Sequence, residues 1–462
     1  MRTYRPYEPD QILLFPPSLQ DWLPEEHLAR FVCDVVDELD LSAIYKEYEE
    51  GDGRGYPPYH PLMMTKLVLY GYCTGRFSSR QIERLTYEDV AFRYLAADQH
   101  PDHDTVAHFR ERHLEALSGL FQQVLLLCRE AGLVKLGHVA LDGTKVLANA
   151  SKHKAMSYGR METEEKRLEE EIAKLLEQAR QIDAEEDARY GKGVRGDELP
   201  AELARRESRL AKIREAKRAL EEQARREAEE TNARIEAQEE AERQSGHKRR
   251  GRKPKRQDVA RAKPASKAQR NFTDPDSRIM VDGSTKGFVQ AYNAQAGVDE
   301  EAGVIVAADV VQESNDKKQL KPMLMQVKEN LGRLPDRSSA DSGYYSGKAV
   351  EASELTDTDL YVATHRHKHN EIEPFEELLA PEAEVSARER MQNKLRTEEG
   401  HAIYARRKCI VEPVFGNIKE VLRFRRFSMR GHSKVKGEFL LMCTAYDLLK
   451  LFRNTPSRAV LA

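Results

Sequence analysis

Three short segments of the sequence each place one carboxylate beside glycine or other small residues. The segments LDGTK, ADSGYYS and VEPVFGNIKE contain Asp142, Asp341 and Glu412, respectively. Carboxylate oxygens are the ligands that Mg²⁺ and Mn²⁺ prefer. Two such ions about 4 Å apart activate a water molecule and stabilise the leaving oxygen of a phosphodiester. If the fold brings the three carboxylates together, the sequence predicts a metal site suited to the cleavage of nucleic acid.

A second Asp-Gly pair competes with Asp142 for the first position of this site. An isolated Asp-Gly is usually a turn, and Asp282 in VDGST has a setting similar to that of Asp142 in LDGTK. We favour Asp142 because apolar residues run directly into it, whereas polar residues and glycine follow Asp282. Asp316, a further acid after a predicted strand, is interpreted as the cap of the following helix.

The elements that must position these carboxylates are predicted in residues 133–156 and 271–462. The runs GHVALDGTKV, GFVQAYNAQAGVD, GVIVAADVVQ and DLYVATH have the composition of strands, whereas residues 317–331, 402–419 and 437–452 have helical periodicity. This order predicts an α/β domain in which a mixed sheet is flanked by helices.

Residues 1–132 are predicted to form an all-α domain, because apolar residues recur there at three- and four-residue steps. The segment DHDTVAHFRERH follows a polar turn and contains Arg110, Arg112 and His113. We expect these three side chains to be exposed, and the segment is then compatible with a helix-turn-helix that contacts DNA. Plain packing of a small helical domain is the alternative.

Residues 157–243 are dominated by Glu, Arg, Lys, Ala and Gln. Leu168, Ile172 and Leu175 follow coiled-coil spacing, the glycines of YGKGVRGDELP interrupt the pattern, and a sparser pattern resumes at Leu203. The segment is therefore predicted to be a charged helical hairpin inserted into the α/β domain. A solvated spacer arm and a dimerisation element are both compatible with it.

Residues 244–270 form a basic tract with eleven Lys or Arg residues and one acid. Arg250, Arg252 and Lys253 lie in HKRRGRKPKR, where Gly251 and Pro254 keep the chain extended. Cations of one sign neutralise phosphates and release counterions, which favours contact with nucleic acid. A charged linker is the alternative.

Composition excludes several other classes of protein. The chain has 462 residues, 33% of them charged, and a net charge of −3, so two or three domains are expected. Its five cysteines include no CxxC pair, which argues against a zinc module or a disulfide framework and favours a reducing cytosol. The apolar runs are too short for a transmembrane helix, and the first residues lack the apolar core of a signal peptide. No membrane partner is expected.

The carboxylate segments resemble those of the DDE transposases of bacterial insertion sequences, which have a ribonuclease H-like catalytic core. In that family the first Asp lies on the first strand, the second Asp at the end of the fourth, and the Glu on a later helix. The family pattern also has an aromatic and a basic residue before the Glu and a Lys seven residues after it. Here these are Tyr404, Arg407 with Lys408, Glu412 and Lys419, with the aromatic-to-Glu spacing one residue longer than the commonest form. The N-terminal region also resembles the DNA-binding domain that precedes this core.

This resemblance implies an enzyme with an α/β ribonuclease H-like core and two Mg²⁺ (or Mn²⁺) ions held by the three carboxylates. Its expected partners are double-stranded DNA, namely terminal inverted repeats and target DNA, and its expected reactions are strand cleavage and strand transfer. A homodimer is expected in the synaptic complex, since two DNA ends must be brought together, and the expected location is the cytoplasm of a bacterium, associated with the nucleoid. The alternatives are a ribonuclease H-like nuclease without strand transfer and a non-catalytic DNA-binding protein with a decayed core.

Basic residues around Glu412 are further candidate DNA contacts. They are Arg407, Lys408, Lys419, Arg423 and Arg425. The last two alternate with phenylalanines, so a DNA-backbone contact and a core of phenylalanines with solvated arginines are equally compatible. Because a residue before proline avoids helical geometry, Pro413 predicts that Glu412 lies at the start or at a kink of its helix.

Overall fold

The computed structural model of the protein describes residues 18–49, 57–190, 201–245, 254–283, 285–365 and 385–454. The chain divides into two compact units. One unit combines Met1–Val146 with Asn293–Ala462, and the other is Leu147–Tyr292. The first contains the N-terminal helices and the central strands, and the second contains the long charged helices.

The N-terminal part of the first unit is helical, as predicted. Its helices are α1 (Leu28–Glu38), α2 (Ser42–Glu49), α3 (Pro61–Cys73), α4 (Ser79–Glu88), α5 (Val90–Leu95), α6 (His103–Arg112) and α7 (Leu114–Glu130), and strand β1 (His138–Leu147) follows them. Helix α3 is buried along nearly its whole length. It therefore forms the centre around which this helical region packs.

The basic residues at the end of α6 differ from the prediction. Arg110 is buried and donates a hydrogen bond from Nη1 to the Phe77 carbonyl oxygen at 2.7 Å. His113 is fully buried among aromatic rings. Arg112 is exposed and pairs with Glu47 at 3.0 Å. The expectation that all three side chains face outward is wrong for Arg110 and His113, because both are needed to fill the interior between the helices.

The second unit is built around two long helices. Its elements are β2 (Ala155–Ser157), α8 (Tyr158–Tyr190), α9 (Ala201–Ser245), β3 (Gln269–Asn271) and β4 (Arg278–Val281). The helices pack through an apolar seam that includes Met161, Leu168, Leu210, Ile213 and Leu220. Beside the seam, Glu165 of α8 pairs with Arg214 at 3.0 Å and with Lys217 at 2.9 Å. The seam and these flanking ion pairs hold α8 against α9.

The rest of the chain forms the sheet and its covering helices. The elements are β5 (Phe288–Asp299), β6 (Ile305–Val311), α10 (Leu320–Leu331), β7 (Arg337–Ala340), α11 (Gly347–Val350), β8 (Asp359–Val362), α12 (Ala387–Arg396), α13 (Glu398–Gly416), a π-helical turn (Asn417–Val421) and α14 (His432–Asn454). The strand order is β4-β5-β1-β7-β8, and β6 also pairs with β5. Pairing is antiparallel between β5 and β6 and parallel among β1, β7 and β8. The predicted mixed sheet flanked by helices is confirmed.

Helix α14 connects the N-terminal helices with the sheet, because it packs against α3, α7 and β6. Its Glu438 is fully buried and accepts hydrogen bonds from the backbone N–H groups of Ser428 and Met429, both at 3.0 Å, and from the Tyr72 hydroxyl at 3.4 Å. A buried carboxylate requires such donors. These bonds therefore fix the segment before α14 against α3.

None of the helices in the described ranges combines the length and the apolar character that spanning a bilayer would require.

Candidate active site

Asp142 and Asp341 lie side by side because of the register between two parallel strands. β1 and β7 pair from His138 opposite Arg337 to Leu141 opposite Ala340. Asp142 and Asp341 are the next residue on each side, and neighbouring strands of a sheet are separated by about 4.8 Å. The electrostatic repulsion that Asp341 exerts on Asp142 is consistent with this placement. The structure thus brings together two of the three carboxylates selected from the sequence.

The carboxylate of Asp142 is largely buried. Burial is the main cause of the raised pKa of Asp142, and the nearby Asp341 and Asp316 add to it. Arg407 and the Gly143 N–H oppose the increase, and the resulting pKa is about 6. Arg407 Nη1 lies 3.4 Å from Asp142 Oδ2, and the Gly143 N–H donates to Oδ1 at 2.8 Å. The pKa of Asp142 stays raised although Arg407 is nearby. Arg407 alone therefore does not compensate the negative charge of the Asp142 carboxylate.

Asp282, the competing Asp-Gly position, is part of a turn. Its carboxylate accepts hydrogen bonds from the backbone N–H and the hydroxyl of Thr285 at 3.0 and 2.7 Å. Its backbone N–H donates to the Gly287 carbonyl at 2.9 Å, which closes the turn between β4 and β5. These bonds give Asp282 a local structural role and favour Asp142 as the site residue.

The structure adds a carboxylate that was predicted to have another role. The N-cap residue of α10 is Gln319, and no side chain caps this helix. Asp316 Oδ1 instead accepts hydrogen bonds from Asn293 Nδ2 at 2.6 Å and from Gln295 Nε2 at 2.7 Å. The interpretation of Asp316 as a helix cap is therefore wrong, because side chains of β5 engage its carboxylate.

Two glycines allow these acids to approach one another. A β-carbon on Gly143 would collide with Gln295 Nε2 and would lie 2.8 Å from Asp316 Oδ1. A β-carbon on Gly343 would lie 2.9 Å from Asp341 Oδ1 and 3.3 Å from Asp316 Oδ2. Gly143, which follows Asp142 within β1, and Gly343, in the turn after Asp341, are thus the points at which Asp316 approaches these two aspartates.

Glu412 lies inside α13, where it is exposed. The helix begins well before Glu412 and continues through Pro413. The expectation that Glu412 lies at the start of its helix is therefore wrong. Pro413 lies near the end of α13, just before the hydrogen-bond pattern changes to the π-helical turn, and this limits the cost of its missing N–H donor. Within the described ranges, no three His, Cys, Asp or Glu side chains are already gathered closely enough to hold a metal ion.

The basic residues selected as DNA contacts have different environments. Arg407 is buried against Asp142, and Lys419 Nζ donates to Thr144 Oγ1 at 2.5 Å and to the Lys145 carbonyl at 2.9 Å. Lys408, Arg423 and Arg425 are exposed. Phe424 and Phe427, which alternate with the arginines of this segment, are buried. Arg250, Arg252 and Lys253 lie outside the described residues. Contact of any of these residues with DNA stays a prediction.

Four further residues near the carboxylates, Lys145, Tyr344, Asn293 and Gln295, were missed by the sequence analysis. Lys145 experiences the attraction of Asp316, Asp142 and Asp341, although burial outweighs it and lowers the pKa of Lys145. The buried Tyr344 hydroxyl donates to Gln295 Oε1, and Asn293 holds Asp316. A signal for Asn293 and Gln295 was present, because they are polar residues at alternate positions of an otherwise apolar strand.

Two family models match the chain. The model described as "Transposase domain (DUF772)" matches residues 17–112, and the one described as "Transposase DDE domain" matches residues 277–448. The second range contains Asp316, Asp341 and Glu412, whereas Asp142 lies before it. No curated protein and no solved structure gives a significant match.

Both matched families are transposase families. The chain that they match has the helical N-terminal region, the mixed sheet and the paired aspartates described above. Together the two matches indicate a DDE transposase of an insertion sequence, an enzyme of the polynucleotidyl transferase type.

The close approach at Gly143 predicts that even a methyl group there is harmful. In Gly143→Ala the new β-carbon displaces Gln295 and Asp316, and a displacement of about 1 Å at a catalytic centre costs on the order of 100-fold in rate. We expect transposition frequency in cells to fall by about that factor. Gly119→Ala on α7 is the matched control, because a β-carbon at Gly119 meets open space. Wild-type transposition by Gly143→Ala would contradict the close packing described here.

The raised pKa of Asp142 predicts a pH-dependent stability difference. The folded chain binds this proton more tightly than the unfolded chain, whose Asp pKa is about 3.9. The resulting stabilisation is present below about pH 4 and is lost as the pH rises through about 6. Asp142→Asn removes the titration. We therefore expect this variant to gain about 3 kcal/mol relative to the wild type between about pH 4 and pH 8.

Denaturant unfolding of both proteins in a metal chelator measures this difference. Glu313→Gln, which removes an exposed acid of the segment before α10, is the matched control and should not reproduce this gain. A stability difference for Asp142→Asn that stays flat or declines with rising pH would contradict the burial of the Asp142 carboxylate.

Proposed function

We propose that this transposase cleaves DNA at the ends of its insertion sequence and joins the freed 3′-hydroxyl groups to target DNA, with Mg²⁺ or Mn²⁺ held at Asp142, Asp341 and Glu412. One observation carries the proposal: the register of two parallel strands sets Asp142, within β1, beside Asp341, directly after β7. The match to the transposase DDE domain covers Asp341 and Glu412 and supplies the class of reaction.

The strand order supports a ribonuclease H-like core. With β4 set aside, the strands lie in the order β6-β5-β1-β7-β8, so the first core strand is central and the fourth is its parallel neighbour. Asp142 is on that first strand and Asp341 follows the fourth. This is the arrangement that the resemblance to DDE transposases implies for the first and second Asp.

The position of Glu412 along the chain supports its assignment as the third carboxylate. Asp142 and Thr144 are two residues apart on β1 and so lie on one face of the strand. Arg407 reaches Asp142 on that face, and Lys419 reaches Thr144. Glu412 lies between Arg407 and Lys419 in sequence, so the segment that carries it crosses the same face of β1. A modest rotation or shift of this segment would direct Glu412 toward the two aspartates.

The residues present fit a divalent cation. Asp142, Asp341 and Asp316 offer hard oxygen donors, and burial and like charge already disfavour the ionised form of Asp142. Asp142 and Asp341 would hold the ion, and Glu412 would complete the set. Such an ion supplies activation of a water molecule and stabilisation of the leaving oxygen.

The chain's own basic residues would position the DNA. Lys408, Arg423 and Arg425 are exposed around Glu412 and are suited to phosphate contacts. Lys419, held at Thr144, would stand at the edge of the site. The basic tract at 244–270 and the N-terminal helices would add affinity for the terminal inverted repeats, and a homodimer would bring two ends together.

A cleavage and joining assay tests the proposal. Purified full-length protein is incubated with Mg²⁺, labelled DNA that carries the terminal inverted repeats, and a plasmid target. We expect the wild type to cut the ends and to join them to the plasmid. Asp142→Asn, Asp341→Asn and Glu412→Gln should each lower cleavage by more than about 1,000-fold, because each removes a ligand charge, while gel-shift affinity for the ends is retained.

Asp282→Asn is the matched control, because Asp282 is an Asp-Gly residue engaged in a turn, and it should cleave as the wild type does. Cleavage without joined products would make the chain a nuclease. Binding without metal-dependent cleavage would make it a DNA-binding protein with a decayed core. Full activity of any one carboxylate variant would remove that residue from the site.

A further inference from the structure

Asp316 is held in one orientation by two amide side chains of β5. Its Oδ1 atom accepts from Asn293 Nδ2 at 2.6 Å and from Gln295 Nε2 at 2.7 Å. Asn293 is itself fixed, since its Nδ2 also lies 3.2 Å from the Glu313 carbonyl oxygen. Two donors on one oxygen restrict rotation of the carboxylate and leave the second oxygen to face elsewhere.

The second oxygen of Asp316 lies near Asp341. Asp316 Oδ2 and Asp341 Oδ1 both lie within 3.3 Å of the position that a Gly343 β-carbon would occupy. Asp316 Oδ1 lies within 2.8 Å of the corresponding position at Gly143. A single carboxylate therefore lies beside Gly143 of β1 with one oxygen and beside Gly343, in the turn after Asp341, with the other.

A buried polar atom without a hydrogen-bond partner lies at the same place. It indicates that this cluster accommodates a further ligand. Asn293 is fully buried, and its Oδ1 atom has no hydrogen-bond partner. This atom lies 3.0 Å from the position of a Gly143 β-carbon, and thus beside Asp316. A buried amide oxygen without a donor is costly, and a cation or its bound water would satisfy it.

We propose that Asp316 is a positioning residue of the catalytic centre, which holds the Asp142-Gly143 segment of β1 and the Asp341-Gly343 turn at the separation needed to bind a divalent cation. This inference rests on the proposed metal-dependent cleavage. Asn293 and Gln295 hold Asp316, and Asp316 sets the two segments that carry the ligands. Such supporting residues typically contribute about 10- to 100-fold to metal affinity or activity.

The test compares Asp316→Asn with the wild type in two measurements on the full-length protein. Mn²⁺ binding is titrated by calorimetry without DNA, and cleavage of labelled ends is measured as a function of Mn²⁺ concentration. We expect Mn²⁺ affinity and the cleavage rate at low Mn²⁺ each to fall by about 10- to 100-fold. Affinity for the DNA ends should not change, and high Mn²⁺ should restore much of the cleavage, because the ligands themselves remain.

Glu313→Gln is the control for loss of a nearby charge. Glu313 lies three residues before Asp316 and is exposed, and its carboxylate is 3.9 Å from Lys318. This variant should bind Mn²⁺ and cleave DNA as the wild type does. Wild-type Mn²⁺ affinity and cleavage in Asp316→Asn would overturn the proposal.

Gln295→Ala keeps the charge of Asp316 and removes one of its two donors, so it tests the same role if Asp316→Asn is poorly folded. It should weaken Mn²⁺ binding in the same direction, and the double variant should be little worse than Asp316→Asn alone, because both act through one contact. Unchanged Mn²⁺ affinity in Gln295→Ala, or fully additive losses in the double variant, would contradict the role assigned to Asp316. If the wild type binds Mn²⁺ but does not cleave DNA, the proposed function fails, and the Mn²⁺ titrations still decide the role of Asp316.

Discussion

The constraint on which the site depends is the repulsion between carboxylates placed side by side in a largely buried position. Parallel pairing of β1 and β7 brings Asp142 and Asp341 together, and Asp316 joins them across two glycines. Burial and like charge both oppose ionisation, which is why the pKa of Asp142 rises to about 6 in spite of Arg407. In the function that we propose, a divalent cation bound between these carboxylates would relieve the repulsion.

The surrounding fold supplies what this cluster needs. Buried strands give the two aspartates fixed backbone positions, and the amides of Asn293 and Gln295 orient Asp316. The segment from Arg407 to Lys419 crosses the same face of β1 and carries Glu412. The pairing of the two aspartates thus depends on the register between β1 and β7. A shift of one residue would turn one aspartate to the opposite face of the sheet and separate the pair.

The sequence was sufficient for features that depend on local patterns. An apolar run into Asp142, and small residues and glycine around Asp341, singled out the two acids that the register of β1 and β7 sets side by side. Helical periodicity located the N-terminal helices. The sequence was insufficient where a residue far away in the chain determines the environment of a side chain. Asp316 has the local signature of a helix cap, but the amides of β5 engage its carboxylate. Arg110 has the signature of a surface cation, but it is buried against the Phe77 carbonyl. The local rule for Pro413 likewise did not foresee a helix that continues through it.

The most direct test of the central claim is a crystal structure of the protein with Mn²⁺, in which anomalous scattering locates the ion. The account predicts an Mn²⁺ peak within about 2.3 Å of carboxylate oxygens of both Asp142 and Asp341, with Arg407 displaced from Asp142. An Asp142–Arg407 pair that persists at saturating Mn²⁺, with no peak at the two aspartates, would contradict it.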